Sequence, residues 1–467
     1  MVLGVVGVET RHPLILHITL EAYDMVHVVS QGRVLATCTV FLYVAVTLRP
    51  GDALGGNATL NVINFGAKGD GLADDARAFL LAWDAACRYN KSSPAPSLLI
   101  PEGHSFLVSP LLFRGPCSPS RINFQIYGTV MAPTDKAAWK DCAVDSWIVF
   151  QGVSNLVVSG SGALNARGSL WWDINGTNPA DYSTRCTMPK ALEFIGVTNL
   201  QLSGLLHRDS PRAHIRLEDT TNATLSNLTI YAPGNSPNTD GIVLSQSKHV
   251  DIFDCVIKTG DDCIAIKAGT SFVNITGVVC GPGHGISIGG LGFGDNETVA
   301  DVSVTNSIMV GASNGARIKT WPNGAGYVRR VIFEDIFIIN SSNPIIINQH
   351  YCDSKKANCT SMQYEGESGV AISNVTFRRI IGTAPGDPSI TLDCSAKVGC
   401  RDILIEDVDI FPETLWGKTS AICSYATGVI FLFTGFEERS SSRRHVFGYG
   451  LHQCEAPSRR LFEATRL

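Results

Sequence analysis

The chain is poor in charge. Asp, Glu, Lys and Arg make up 17% of its 467 residues, the formal net charge is −5, and no long basic run occurs. A nucleic-acid partner is therefore disfavoured, because neutralising phosphates takes clustered Lys and Arg. None of the fourteen cysteines forms a Cys-x-x-Cys pair, so the usual spacing of a zinc site is missing. The apolar run Val34 to Leu48 is short for a membrane span. No fixed Leu-x-x-Leu-x-Leu frame is kept, which argues against a leucine-rich repeat.

Hydrophobic residues, by contrast, make up 45% of the chain, enough for a large core, and glycine is plentiful at 45 residues. The length alone admits one large domain or two or three ordinary ones. So many cysteines point to an oxidising compartment, and Cys263/Cys280, Cys352/Cys359 and Cys394/Cys400 are close enough to close local loops. Ten Asn-x-Ser/Thr sequons, at Asn57, Asn90, Asn175, Asn222, Asn227, Asn274, Asn296, Asn340, Asn358 and Asn374, favour secretion. The run after Arg33 has the charged start, short apolar centre and small-residue exit (Ala53-Leu-Gly55) of a secretory signal. It is preceded by 32 residues that look like no part of one, and Met25 is an alternative start.

From about Asn155 one phrase recurs. An Asn, His, Asp or aromatic residue opens it, alternating β-branched residues follow, then Gly, Ser or Asn, then a second apolar strand. Openings at Asn222, His249, Phe272, Asp301 and Tyr327 are 27, 23, 29 and 26 residues apart. A period in the twenties with short strands is the signature of a β-solenoid. A β-sandwich also has regular short strands, but the repeated wording fits stacking better. The ends of a solenoid need capping. Asp74 to Cys87 is predicted to be a helix with Asp74 as N-cap and Phe79, Trp83 and Ala86 on one face, closing the N-terminal end.

Three short stretches carry the chemistry: Asn238-Thr-Asp240-Gly241, Gly260-Asp261-Asp262-Cys263 and Gly283-His284-Gly285. Asp240 to Asp262 is 22 residues, and Asp262 to His284 is 22 more. One solenoid turn per step would stack them, with neighbouring strands ~4.8 Å apart. Three carboxylates and an imidazole then share one patch. Crowded carboxylates repel and raise the pKa of at least one, which supplies the acid and the base of glycoside hydrolysis. Adjacent residues of a straight strand face opposite ways, so Asp261 and Asp262 reach one cleft only if the chain bends at Gly260. Arg317 and Lys319 alternate and can face one way, offering two cations to a carboxylate.

In four blocks the chain resembles the plant polygalacturonases, pectin-degrading glycoside hydrolases. The blocks are Ser236-Pro-Asn-Thr-Asp-Gly241, Gly260-Asp-Asp-Cys-Ile-Ala-Ile266, Cys280-Gly-Pro-Gly-His-Gly-Ile-Ser-Ile-Gly289 and Arg317-Ile-Lys-Thr-Trp321, in order. The resemblance runs from about Asn61 to Tyr425. It implies an all-β fold, a right-handed parallel β-helix (a single-stranded solenoid) with a short N-terminal capping helix. It implies an inverting hydrolase with Asp261 as general acid, Asp240 and Asp262 activating the water, and His284 orienting or sharing protons with them. Arg317 and Lys319 would bind the galacturonate carboxylate, Tyr351 would border that subsite, and Asn238 would fix the loop that presents Asp240. No cofactor and no metal is implied.

The implied protein is a secreted, extracellular or cell-wall monomer that acts on pectin or polygalacturonate. No nucleic-acid partner is expected, nor stable membrane association once the signal is removed. Related pectins (rhamnogalacturonan or xylogalacturonan), a calcium-dependent pectate lyase and a non-catalytic wall-binding solenoid are the alternatives. Gly-His-Gly and Arg-x-Lys argue against the lyase, and the retained aspartates against the binding module. Three segments are expected: residues 1–55, an extension with the signal at about 33–55; residues 56–426, the catalytic solenoid; and residues 427–467, an atypical, poorly ordered tail. The family ends soon after the position of Tyr425 with a cysteine that partners Cys423, and here the tail replaces that ending. Asn165-Ala-Arg-Gly168 also departs from the family's Asp-Gly-x-Gly, which bears on coil geometry.

Overall fold

In the computed structural model, the residue that opens most of the repeated phrases takes a left-handed backbone, though in the phrase that Tyr327 opens it is Arg330 that does so. Asn155, Asn199, Asn222, His249, Phe272 and Asp301 have φ between 55° and 59°. Asn and Asp tolerate that conformation better than most residues, which is one reason the phrase so often opens on them. The described residues are 58–90, 94–135, 138–139, 145–172, 188–294, 296–353, 369–414, 417–437, 444–454 and 459–465, with side chains described as far as Thr427. The expected extension over residues 1–55 and its signal lie outside them. The described residues all fall in one compact unit.

The openers stack from coil to coil. Nδ2 of Asn199 donates to Oδ1 of Asn155 at 2.8 Å, and Nδ2 of Asn222 to Oδ1 of Asn199 at 3.2 Å. His249 and Phe272 continue the ladder as parallel rings 4.8 Å apart. Each turn thus leaves the strand at the same place, and the next strand falls in register beside the last.

The result is a right-handed parallel β-helix. One face is a twelve-stranded sheet among the described residues, from Leu111–Arg114 to Lys418–Ser424 in chain order, with Arg459–Thr465 added antiparallel. Its register aligns Ile215, Ile242, Ile264, Ile286, Ala316 and Ile345 in one inward column. All six are fully buried. β-Branched side chains suit such stacks, and each buried Ile is worth roughly 1.5–3 kcal/mol of burial. The residues that alternate with this column face outward and form the floor of the site. The coils around Asn165 keep their register: Ala163–Asn165 pairs with Thr129–Met131 and with Leu206–Arg208, despite the departure in sequence.

The capping helix spans Ala76–Cys87, later than expected, because Asp70–Asp74 is a strand. The N-cap position falls to Asp75, whose carboxylate accepts from the Lys68 and Gly69 N–H groups rather than from the helix. Asp74 does accept from the first helical N–H, that of Ala76, at 3.0 Å. Phe79, Trp83 and Ala86 are buried together, and Trp83 packs on Phe113 and Phe150 inside the first coils. The disulfide Cys87–Cys117 ties the end of the helix to the loop that follows the strand Leu111–Arg114.

At the far end Ala426–Glu437 pairs in parallel with Cys400–Pro412 and turns back through an antiparallel pairing with Arg444–Cys454. Cys423, expected to lack its partner, is disulfide-bonded. Cys263–Cys280 and Cys394–Cys400 are bonded as their spacing suggested, and Cys352 is bonded as well. Among the described residues no helix is long and apolar enough to cross a membrane.

Candidate active site

Two residues before each of the aligned Ile242, Ile264 and Ile286 stand Asp240, Asp262 and His284. The backbone ladder runs beside them: the Gly241 N–H donates to the Asp262 carbonyl, and the Cys263 N–H to that of Gly285, each at 2.9 Å. The step of 22 residues is thus one coil.

The bend demanded for Asp261 and Asp262 is made at Gly260. A Cβ there would lie 2.0 Å from the Ser236 carbonyl oxygen, so only glycine fits. The Gly260 N–H is held by Oγ1 of buried Thr239, which also bonds Ser236. The strand resumes only at Ile264, and both carboxylates face one cavity of about 310 Å³. The Asp262 N–H donates to Oδ1 of Asp261 at 2.8 Å. Asn238, φ 56°, shapes the loop before Asp240 and lines the same cavity.

The three carboxylates differ in their surroundings. Asp262 is closed to solvent, with 1% of its side chain exposed, and is fully bonded. Its Oδ1 accepts from Nη2 of Arg317 and from Oγ of Ser287, and its Oδ2 from Nζ of Lys319 at 2.9 Å. Burial pushes its pKa up, but Lys319, Arg317 and Lys267 outweigh that and hold it well below the usual range. Asp261 is partly open and lies 2.9 Å from Nδ1 of His284. Burial raises its pKa too, yet the His284 hydrogen bond prevails and the net shift is down. The same bond raises the pKa of His284. Asp240 lines the cleft without such a partner among the described residues. Burial first, then the charges of Asp261 and Asp262, push it up to about 7.

All eight sequence-predicted residues therefore stand in one place, but two have a different attachment from the one expected. Arg317 and Lys319 do face the same way, and what they grip is Asp262. Lys319 also lies 5.1 Å from the centre of the Tyr351 ring. Tyr351 packs edge-on to Trp321 and over Gly290. Burial, then Asp353, raises its phenol to about 12, so it stays a hydrogen-bond donor.

Asp261, Asp262 and His284 could each offer a ligand atom to a metal, the atoms lying within 4.8 Å of one another. With both oxygens of Asp262 already bonded to cationic side chains, the donor set is a poor one for a divalent ion.

Sequence reading missed Ser287, which bridges Nε of Arg317 and Asp262, and Lys267, whose Nζ donates to the Gly289 carbonyl at 2.8 Å. Their signal is positional: Ser287 pairs with Arg317 across the strands, and Lys267 follows the strand that lies two coils before Lys319. Arg212, which also lines the cavity, sits in no motif.

A model described as "Glycosyl hydrolases family 28" matches residues 91–434. The chain is 43% identical over 352 residues to an Arabidopsis thaliana protein named "Probable polygalacturonase", covering 75% of this chain and 73% of that protein. It is 40% identical to a polygalacturonase of Malus domestica, covering 75% and 74%. Among solved structures, the endo-xylogalacturonan hydrolase of Aspergillus tubingensis matches with a TM-score of 0.66 and 26% identity, over 76% of this chain and 93% of that one.

Proposed function

The chain belongs to glycosyl hydrolases family 28, and on that premise we propose that it cleaves the α-1,4-galacturonosyl linkages of pectin with inversion, Asp261 protonating the leaving oxygen. As a member of that family it is a glycoside hydrolase. The observation that carries the mechanism is the unequal treatment of three carboxylates around one cavity. Inversion needs one carboxyl that gives a proton and another carboxylate that takes one from water.

Asp261 is the one with a proton source beside it. His284, its own pKa raised, donates from Nδ1 to Oδ1 of Asp261 at 2.9 Å. Moving that proton across the bond leaves a neutral pair, with the acid proton on Asp261 at the cleft. After the leaving oxygen takes it, His284 recovers a proton from solvent, to which 41% of its side chain is open. Asp262, kept ionised by Arg317 and Lys319, orients the water, and Asp240 in its ionised form accepts the water's proton. Tyr351 borders the sugar beyond Lys319.

One observation favours a second assignment. Asp240 holds its proton up to about pH 7, so it is the carboxyl protonated at mildly acidic pH. In that reading Asp240 is the donor, and Asp261 with His284 handles the water. The two readings predict opposite pH limbs.

Secretion is part of the proposal. It is supported by the disulfides Cys87–Cys117, Cys263–Cys280 and Cys394–Cys400, which persist in oxidising compartments. One chain supplies every residue of the proposed site, consistent with a monomer. The test is product analysis on purified polygalacturonate. Saturated oligogalacturonates whose new reducing end first appears as the inverted anomer support the proposal. Unsaturated products, or none, overturn it.

A further inference from the structure

A uronate carboxylate is gripped best by a cation whose donors are not already committed within the protein. Arg317 and Lys319 bond Asp262. Lys267 donates to the Gly289 carbonyl. On the other side of the aspartates, Lys190 is closed in by Asp145 and Glu193, and Arg216 pairs with Glu218 and Glu193.

Arg212 differs. It is half-buried, lines the same cavity as Asp240, Asp261 and Asp262, and has no hydrogen bond or ion pair to any described residue. Its backbone is nonetheless fixed. Oγ of Ser210 donates to the Ala213 carbonyl at 2.8 Å, and Nε1 of Trp172 to that of Pro211 at 3.2 Å. Gly168 packs so closely on Ser210 and Pro211 that a Cβ there would lie 2.5 Å from the backbone. A rigid corner therefore presents a guanidinium that no described residue bonds, and a planar fork of this kind matches a carboxylate.

Position places it opposite Tyr351. Arg212 precedes Ile215–Glu218, which is two strands before Ile264–Ile266. At ~4.8 Å per strand, that is about 10 Å from the Asp262 level, on the side away from Lys319. A glycan laid along the columns meets Tyr351 at one end of the cavity and Arg212 at the other.

We infer that Arg212 binds the carboxylate of a galacturonate unit on the side of the cleft that precedes Asp240, and that it sets the preference for free over methyl-esterified sugars. The inference rests on the galacturonan reading above.

Arg212→Gln and Arg212→Lys test it, with kcat and KM measured on unesterified and highly methyl-esterified galacturonan. Arg212→Gln is expected to lower kcat/KM on the acid roughly ten- to hundredfold, mostly through KM, and to leave the ester within about twofold. Arg212→Lys, which keeps the charge without the fork, recovers part of the loss. Should the Gln variant fail to fold, the Lys variant must still lose activity on the acid alone. Equal losses on both substrates, or an unchanged preference, overturn the inference. A wild-type enzyme inactive on both would sink the galacturonan reading instead. Calorimetry with trigalacturonate and its methyl ester then decides about Arg212: Arg212→Gln weakening only the acid supports the inference, and any other result overturns it.

Discussion

Nζ of Lys319 stands 2.9 Å from Oδ2 of Asp262, with 7% and 1% of the two side chains exposed. Burial opposes the charge of Asp262, and Lys319 is the strongest of the three cations that offset it. Lys319→Met is expected to leave Asp262 under-compensated and to destabilise the protein by about 3–5 kcal/mol, as breaking buried pairs does. Adding Asp262→Asn to Lys319→Met should recover part of that stability without restoring activity. Urea unfolding of the double-mutant cycle measures the coupling, and additive effects would mean that the pair is not linked in this way.

Asp261→Asn keeps the shape of the side chain and removes its acidic proton. The rate should fall by at least ~10²-fold while the melting temperature changes little. His284 loses the carboxylate that raises its pKa, so its imidazole should titrate at lower pH than in the wild type. NMR titration of the ring follows this directly. A His284 pKa unmoved by the substitution would dissociate the two residues.

The pH profile separates the two proton assignments. Asp240 is neutral below about 7 and ionised above it. If it is the base, kcat/KM falls as pH drops through that value; if it is the donor, kcat/KM falls as pH rises through it. The charge of Lys267 lowers the pKa of Asp240, so Lys267→Met should move that limb to higher pH. A limb that stays in place in Lys267→Met belongs to another group.

Two histidines of the core tie stability to pH. His207 and His214 are fully buried, and neither ring nitrogen of either has a hydrogen-bond partner among the described residues. Burial pushes His207 down to about 3 and His214 well below its ordinary value, with the charge of His207 adding to the second shift. Both stay neutral in the folded protein and take up protons only on unfolding. Their stabilising contribution is therefore complete above pH ~6.5. It is lost as pH falls from there towards the folded values, at up to ~1.4 kcal/mol per pH unit for each. His207→Leu should make the acid loss shallower by one proton, measured as unfolding free energy between pH 7 and 4. An unchanged slope would exclude His207 as a source.

Periodicity is written into the chain because every coil solves the same local problem. The openers at Asn199, Asn222 and His249 need a left-handed backbone, and the inward Ile242, Ile264 and Ile286 need to stack, so each turn repeats the same residue types. That repetition made the solenoid legible, and with it the stacking of Asp240, Asp262 and His284. The expected helix start at Asp74 missed because the choice between strand and cap depends on partners far away: Asp70–Asp74 pairs with Ser105–Leu107, and Asp74 also accepts from the Ser109 N–H.

The sequence by itself determined the coil, its step and the residue types that line the cleft. Only the tertiary structure decided what each charge is doing. Arg317 alternates with Lys319 in sequence, but their bonds to Asp262 span 55 and 57 residues. Arg212 has no acid partner among the described residues, because Glu193 and Glu218 reach towards Arg216 instead. Asp240 differs from Asp262 not in chemistry but in which neighbours close around it. Such differences arise between side chains on separate coils, at distances of a few ångströms that a linear spacing does not encode.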